Sequence, residues 1–160
     1  MGVKRSILGV VGVLACTLAA ALATGSAQAA VPSNHVAGSH DMVLPSMPSQ
    51  VVAAISPTLS GLPAVPTRHA KPGAIGSCAR GHLCAGVMDP TTRDWKIFDM
   101  SACTMYGLSH WQGNGAYFNN QTGNVVSHFY NQSHQVINSF TPDAKNHPYN
   151  WDPVWYIKVC

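Results

Sequence analysis

Hydrophobic and polar side chains alternate with a period of two in the C-terminal half of the chain, which is the spacing of a β-strand. In the segment 125–130 both alternating faces carry large residues, so we expect a strand near the centre of a sheet. The segment 135–140 follows as a second strand, and the run Asn-Gln-Ser-His at 131–134 offers turn chemistry between them. The two strands are therefore predicted to form a hairpin.

Further short strands are predicted on both sides of this hairpin. Residues 89–92 contain a Pro-Thr-Thr turn signal between the first two of these strands. The additional strands are predicted at 83–88, 95–98, 116–118 and 154–159. One helical turn is expected within 99–109. Six short strands, with turn signals about every eight to twelve residues, predict an all-β protein built as a β-sandwich.

The first 29 residues have the three parts of a secretory signal peptide. Lys4 and Arg5 precede an apolar run from 7 to 23, and the small residues of Ala27-Gln28-Ala29 provide a cleavage site. The alternative, an uncleaved membrane anchor, is disfavoured because the run is interrupted by Thr and ends in small residues. We predict cleavage after Ala29 and a secreted, extracellular protein.

The rest of the chain divides into two compositional halves. Seven of the eleven Pro residues lie within 32–72, whereas all thirteen aromatic residues lie within 95–156. A segment without aromatic residues buries too little surface to offset its ordering entropy. We therefore predict a disordered linker or pro-segment at 30–76, in which the apolar patch 51–55 is transient or docks on the domain, and a folded domain at 77–160.

The cysteine count indicates a disulfide-bonded domain. Cys16 is lost with the signal peptide, which leaves Cys78, Cys84, Cys103 and Cys160. An even number of cysteines in an oxidising compartment predicts two disulfides, for which three connectivities are possible. A Cys103–Cys160 bridge would close most of the domain and a Cys78–Cys84 bridge would close a tight local loop, and we favour this pairing.

Charge excludes one large class of partners. Only 9% of the residues are charged, and the formal net charge of +3 includes Lys4 and Arg5 of the signal peptide. A nucleic-acid site needs a clustered basic footprint, which the mature chain lacks. We expect no nucleic-acid partner and, after signal cleavage, no membrane association.

The residues that could carry chemistry do not form a recognised catalytic motif. The domain has no HExxH motif, and no Ser lies in a nucleophile elbow. Among its histidines are His110, His128, His134 and His147. We predict that the protein is not an enzyme and has no catalytic residue, cofactor or metal. A zinc site formed by His128 and His134 across the hairpin turn is the alternative.

Calcium is disfavoured by the ligand types at hand. Residues 112–117 after Trp111 contain no Ser, Thr or carboxylate, whereas Ca²⁺ takes six to eight oxygens, usually with carboxylates among them. Asp89, Asp94 and Asp99 are close in sequence, and we interpret them as solvated loop residues.

Aromatic residues near the C-terminus allow two interpretations. Trp151, Trp155 and Tyr156 lie beside Asn150 and Asp152. They either form a platform on which a glycan stacks or fill the sandwich core. We favour the core, because a domain of this size has few other large side chains.

Three stretches carry a family resemblance. The segment 77–84 with the Trp95-x-x-Phe98 pattern, the segment 108–120 and the ending 149–160 resemble secreted actinobacterial proteins grouped with the Streptomyces metalloproteinase inhibitor. The resemblance covers 77–160. It implies a βγ-crystallin-like fold of two Greek-key motifs and a tight Cys78–Cys84 loop at the start of the domain.

The same resemblance implies a function. It predicts a peptidase inhibitor of thermolysin-like zinc proteases, which acts by presenting a rigid loop to the protease cleft. This chain has no late Cys pair with short spacing that could bound such a loop with its own disulfide. No inhibitory residue can be assigned by carry-over. The expected partner is an extracellular protease bound by a monomer, and the alternative is a cell-envelope or glycan-binding module.

Overall fold

The structure, a computed structural model, describes residues 40–45 and 55–160. These residues form strands and turns and contain no helix. The strands are β1 His40–Val43, β2 Thr58–Ser60, β3 Thr67–Ala70, β4 Ile75–Cys78, β5 Leu83–Asp89, β6 Asp94–Met100, β7 Met105–Ser109, β8 Asn114–Asn119, β9 Ser127–Tyr130, β10 Val136–Phe140, β11 Asn146–Asn150 and β12 Tyr156–Lys158. The expected all-β class is confirmed for this part of the chain.

Two five-stranded sheets and a two-stranded ribbon make up the architecture. Sheet I has the order β10-β9-β12-β7-β2, and sheet II has the order β11-β8-β5-β6-β3. The ribbon pairs β1 with β4. Every strand pair is antiparallel. The two sheets enclose one buried cluster, to which β5 and β6 contribute from sheet II and β7, β9 and β12 from sheet I, so the arrangement is sandwich-like.

Strand β5 is buried at all of its positions because both of its faces are covered. Leu83, Ala85 and Val87 face the cluster shared with sheet I. On the other face Met88 belongs to a second cluster, to which the ribbon contributes Met42. A strand covered on both faces is expected to lack a polar face.

Two hairpins agree with the sequence pattern. Strands β5 and β6 pair, and so do β9 and β10, at the positions predicted for them. The helical turn expected within 99–109 is wrong, because β7 occupies Met105–Ser109. Tyr106 and Leu108 point into the core while the positions between and beside them are less buried, which is the alternation of a strand.

The predicted linker needs correction where the structure describes it. Of the segment 30–76, residues 40–45 and 55–76 contain β1, β2, β3 and the first half of β4. Strand β2 extends sheet I and β3 extends sheet II, each as its last strand. The composition was misleading because short outer strands are held mainly by backbone hydrogen bonds and need few large side chains. The domain therefore begins before residue 77.

Other parts of the sequence interpretation lie outside the described residues. These are the signal peptide at 1–29, residues 30–39 and 46–54 of the predicted linker, and with them most of the apolar patch 51–55. Within the patch only Ile55 is described, and its side chain is exposed.

Two disulfides fasten the fold. Cys78–Cys84 joins the end of β4 to the start of β5 across 6 residues of sequence. Cys103–Cys160 joins the connection between β6 and β7 to the residue at position 160, across 57 residues. The second bridge lies beside the hydrogen bond from the Val159 amide to the Thr104 carbonyl, at 3.0 Å. This connection and β12 are thereby held together covalently as well as by pairing.

A buried carboxylate connects residues before β2 to the domain. Asp89 is 1% exposed. Its carboxylate accepts hydrogen bonds from the hydroxyls of Ser56 and Thr91, each at 2.6 Å, and from the Thr91 amide at 2.9 Å. Burial by itself would raise the pKa of Asp89, but these bonds and one with His69 outweigh burial and lower the pKa from 3.8 to about 2.

Asp89→Asn is expected to remove an acid-dependent part of the stability. Because the folded-state pKa lies below the unfolded value, the ionised carboxylate stabilises the fold above about pH 4, and this contribution is lost as the pH falls towards 2. Its size is on the order of 2 kcal/mol. Urea unfolding between pH 2 and pH 7 measures it. The variant should be less stable at neutral pH and flatter in the acid range, and the exposed Asp143→Asn serves as the control. A variant whose pH profile parallels that of the wild type contradicts the assignment.

Candidate functional site

The connection between β2 and β3 is the most exposed apolar feature among the described residues. It runs from Gly61 to Pro66, from the outer strand of sheet I to the outer strand of sheet II. Leu62 is 83% exposed, more than any other large hydrophobic side chain in the described ranges. We refer to residues 61–66 as the β2–β3 loop.

Both ends of the β2–β3 loop are held by the sandwich. Before the loop, β2 pairs with β7, and the Ser60 hydroxyl donates to the Gly107 carbonyl at 3.3 Å. After it, β3 pairs with β6, and the Asp99 amide donates to the Pro66 carbonyl at 3.0 Å. Within it, Val65 packs against the core. The loop therefore projects Leu62 from two fixed supports.

Gly61 sets the path of the chain just before Leu62. Its φ is +135°, a backbone conformation that L residues with a side chain rarely adopt. A Cβ at this position would lie 2.9 Å from Cδ1 of Tyr106 and 3.2 Å from the Met105 carbonyl oxygen. The backbone at Gly61 therefore lies directly against β7, and Leu62 is the first side chain to point away from it.

Sequence reasoning missed this loop because it fell within the predicted linker. The signal that could have revealed it is the run Gly-Leu-Pro-Ala-Val-Pro at 61–66. Two prolines within four residues restrict the backbone and are typical of a connection with a defined course. They were counted instead with the other prolines as a sign of disorder.

A second candidate site is a groove of about 480 Å³ where β7 ends and β12 is about to begin. Leu108, Trp111 and Val154 are the buried residues that line it. Around them lie Ser109, His110, Gln112, Asp152 and Trp155. The volume is within the range of small-ligand sites, about 300–1,000 Å³.

Backbone hydrogen bonds hold the two segments that form the groove. The Leu108 amide donates to the Trp155 carbonyl, and the Trp155 amide donates to the Tyr130 carbonyl, each at 2.8 Å. The Gly113 amide donates to Asp152 Oδ1 at 2.7 Å. Trp155 is thus fixed through both of its backbone groups, although its side chain is 43% exposed.

The predicted aromatic platform is divided between core and surface. Trp151 is 0% exposed, and its indole N–H donates to the Gly86 carbonyl at 3.0 Å. Tyr156 is half-buried, with its ring 4.1 Å from that of His134. Trp155 alone of the three has a largely accessible ring, and it lies in the groove.

The four histidines singled out in the sequence have separate surroundings. His128 Nδ1 lies 2.8 Å from the Ser139 hydroxyl, and His134 stacks on Tyr156. His147 Nε2 lies 2.8 Å from Asp143 Oδ2, and His110 lines the groove. No group of three or more His, Cys, Asp or Glu suited to a metal ion occurs within 40–45 and 55–160.

The three aspartates that are close in sequence also have partners of their own. Asp89 is bonded to Ser56 and Thr91, as described above. Asp94 pairs with Lys71 at 2.9 Å, and Asp99 pairs with Arg68. The interpretation of the three as solvated loop residues is wrong, because Asp89 ends β5, Asp94 and Asp99 lie in β6, and each has a partner.

Comparisons with protein-family models, curated proteins and solved structures found no match. The described part of the chain contains no helix of membrane-spanning length and apolarity. The β2–β3 loop and the groove are therefore the two features on which a functional proposal rests.

Proposed function

We propose that this protein is a secreted peptidase inhibitor that presents the β2–β3 loop to the cleft of an extracellular, thermolysin-like zinc protease. The observation that carries the proposal is Leu62, which is 83% exposed on a loop supported by both sheets. An exposed large apolar side chain on a held loop resembles the side chain that a protease takes into an apolar specificity pocket. A partner that covers this side chain removes apolar surface from water, which favours binding.

The supports on both sides of the loop favour inhibition over ordinary cleavage. A loop already ordered before binding avoids the entropy cost that a flexible substrate pays in the cleft. If the protease cuts the chain within 61–66, β2 remains paired with β7 and β3 remains paired with β6. The new ends then stay close together, so product release is slow and the cleft stays occupied.

The proposal includes a crystallin-like Greek-key fold and export from the cell. Two packed antiparallel sheets support the first, in line with the resemblance of residues 77–160 to the metalloproteinase-inhibitor group. Two disulfides support the second, because such bridges persist mainly in oxidising compartments. The protein then acts outside the cell as a monomer, without a cofactor.

Leu62→Ala is expected to weaken inhibition by about 30-fold, the effect of losing one interface hot spot of about 2 kcal/mol. The measurement is the inhibition constant Ki from titration of a thermolysin-like protease with the unreduced protein. Leu62→Met keeps the apolar bulk and should change Ki by no more than about threefold.

Two further arms decide the outcome. Trp155→Ala alters the other candidate site and should leave Ki unchanged. A parallel titration of serine and cysteine proteases tests the choice of target. The proposal fails if micromolar protein slows no protease of any class, and the role of the loop fails if Leu62→Ala inhibits as well as the wild type.

A further inference from the structure

The groove is a site separate from the proposed inhibitory loop. Gly61 lies against Met105 and Tyr106, where β7 begins, whereas the groove is lined by Leu108 to Gln112, where β7 ends and the following loop starts. The β2–β3 loop and the groove therefore lie at opposite ends of β7. The inference below does not depend on the proposed inhibition.

One wall of the groove is the indole ring of Trp155, on a backbone that hydrogen bonds hold in place. The backbone of Trp155 is bonded on both sides, and the next residue, Tyr156, is paired in β12 between β7 and β9. The ring is nevertheless 43% exposed in a domain whose three other tryptophans are buried. An exposed aromatic ring on a fixed backbone is an apolar stacking surface that loses little entropy when a ligand covers it.

The remaining walls supply groups that exchange hydrogen bonds. Ser109, His110 and Gln112 are all exposed at the rim. His110 has a φ of +62°, in the left-handed region that non-glycine residues adopt uncommonly and that clusters at functional sites. The Asp152 carboxylate also lines the groove, with Oδ1 accepting from the Gly113 amide at 2.7 Å.

The charge of the lining selects the class of ligand. No Lys or Arg lines the groove, and its one carboxylate, on Asp152, disfavours an anion. The walls therefore suit a neutral molecule that has one flat apolar face and many hydroxyl groups. A pyranose ring has this combination, because its axial C–H groups form an apolar face and its hydroxyls lie around the edge.

We infer that the groove binds a neutral pyranose oligosaccharide, with one sugar ring stacked on Trp155 and its hydroxyls bonded to Asp152, Gln112 and His110. The volume of about 480 Å³ suits a short segment of such a chain. The binding would place the inhibitor loop, at the other end of β7, close to a glycan-rich surface.

Titration calorimetry of the full chain with three probes tests the inference. Chitohexaose and cellohexaose are the neutral probes, and polygalacturonate is the anionic one. At least one neutral probe is expected to bind with a dissociation constant below the millimolar range, and polygalacturonate is expected to bind more weakly. If neither neutral probe binds at millimolar concentration, or if polygalacturonate binds most tightly, the inference is overturned.

Variants identify the site. Trp155→Ala should weaken binding about tenfold or more, and Trp155→Phe, which keeps a stacking face, should lose much less. Gln112→Leu tests the rim independently, in case Trp155→Ala disturbs folding. Leu62→Ala is the matched control and should bind as the wild type does. Unchanged binding by both Trp155→Ala and Gln112→Leu would place the glycan elsewhere and overturn the assignment.

Discussion

Replacing Cys103 and Cys160 together by Ser is expected to lower the free energy of unfolding by about 4 kcal/mol. The bridge spans 57 residues, and cutting it returns the conformational freedom of that long loop to the unfolded chain. In the folded state it joins the residues before β7 to those after β12, two neighbouring strands of sheet I. A loss of this size would remove much of the net stability of a small domain, which is only a few kcal/mol.

Urea unfolding of the double and single variants measures this effect. Either single replacement already breaks the bridge, so each should cost nearly as much as both together. The matched comparison is Cys78→Ala with Cys84→Ala, where the sequence separation is 6 and the loop-entropy contribution is about 2 kcal/mol. Single costs that sum to the double cost would mean that the two thiols are not joined.

Trp151→Ala is expected to lower the free energy of unfolding by about 3–5 kcal/mol, the usual cost of removing a large buried aromatic side chain. The ring is 0% exposed and lies 4.9 Å from that of Trp111 and 5.3 Å from that of Phe129. Its N–H satisfies the Gly86 carbonyl at 3.0 Å. The substitution therefore creates a cavity between the sheets and leaves that buried carbonyl without its partner.

Two variants show which part of the contact matters. Trp151→Phe keeps much of the ring and loses the hydrogen bond, so it should cost about 1–3 kcal/mol. Gly115→Ala tests the same place from β8, because its Cβ would lie 2.2 Å from the Gly86 oxygen and 2.3 Å from Trp151 Nε1. Chemical denaturation provides all these values, and Trp155→Ala at the surface is the control. A loss below about 1 kcal/mol for Trp151→Ala would contradict its central place in the core.

The sequence predicted the strands that have a clear side-chain alternation and missed those that lack it. Strand β9, where Phe129 is buried between two half-buried neighbours, has the required pattern. Strand β11 contains Pro148 and only partly buried or exposed residues. It is the outer strand of sheet II, where proline is tolerated because one side of the strand makes no ladder bonds. Such a strand is defined by its neighbour more than by its own residues.

The early strands were missed for a related reason. Met42 is buried because β5 and β6 already present an apolar face to cover, and its own neighbours in sequence give no sign of that face. The short local patterns of 40–45 and 55–76 contain little information about tertiary burial. A domain boundary drawn from aromatic content therefore fell at residue 77. It left out the earlier strands, which contain no aromatic residue but pack against the domain.

The candidate sites were predictable to different degrees. Trp155 was singled out by the density of aromatic residues near the C-terminus, but its difference from Trp151 follows from the turn that places one ring inward and the other outward. Leu62 could not be singled out, since an exposed leucine has meaning only when its flanking strands are known to be fixed. Both positions depend on long-range pairing with β7, which no local pattern reveals.

The position of β1, β2 and β3 constrains where this chain can be cut by a processing protease. If a maturation protease removed everything before residue 77, sheet I would end at β7 and sheet II at β6. Each would then offer a row of unpaired backbone amides and carbonyls to another molecule, a known route to self-association. The apolar residues of sheet II that Met42 and Leu44 cover would also be exposed to water. A shed propeptide is thus incompatible with a soluble mature form unless the cut falls upstream of these strands.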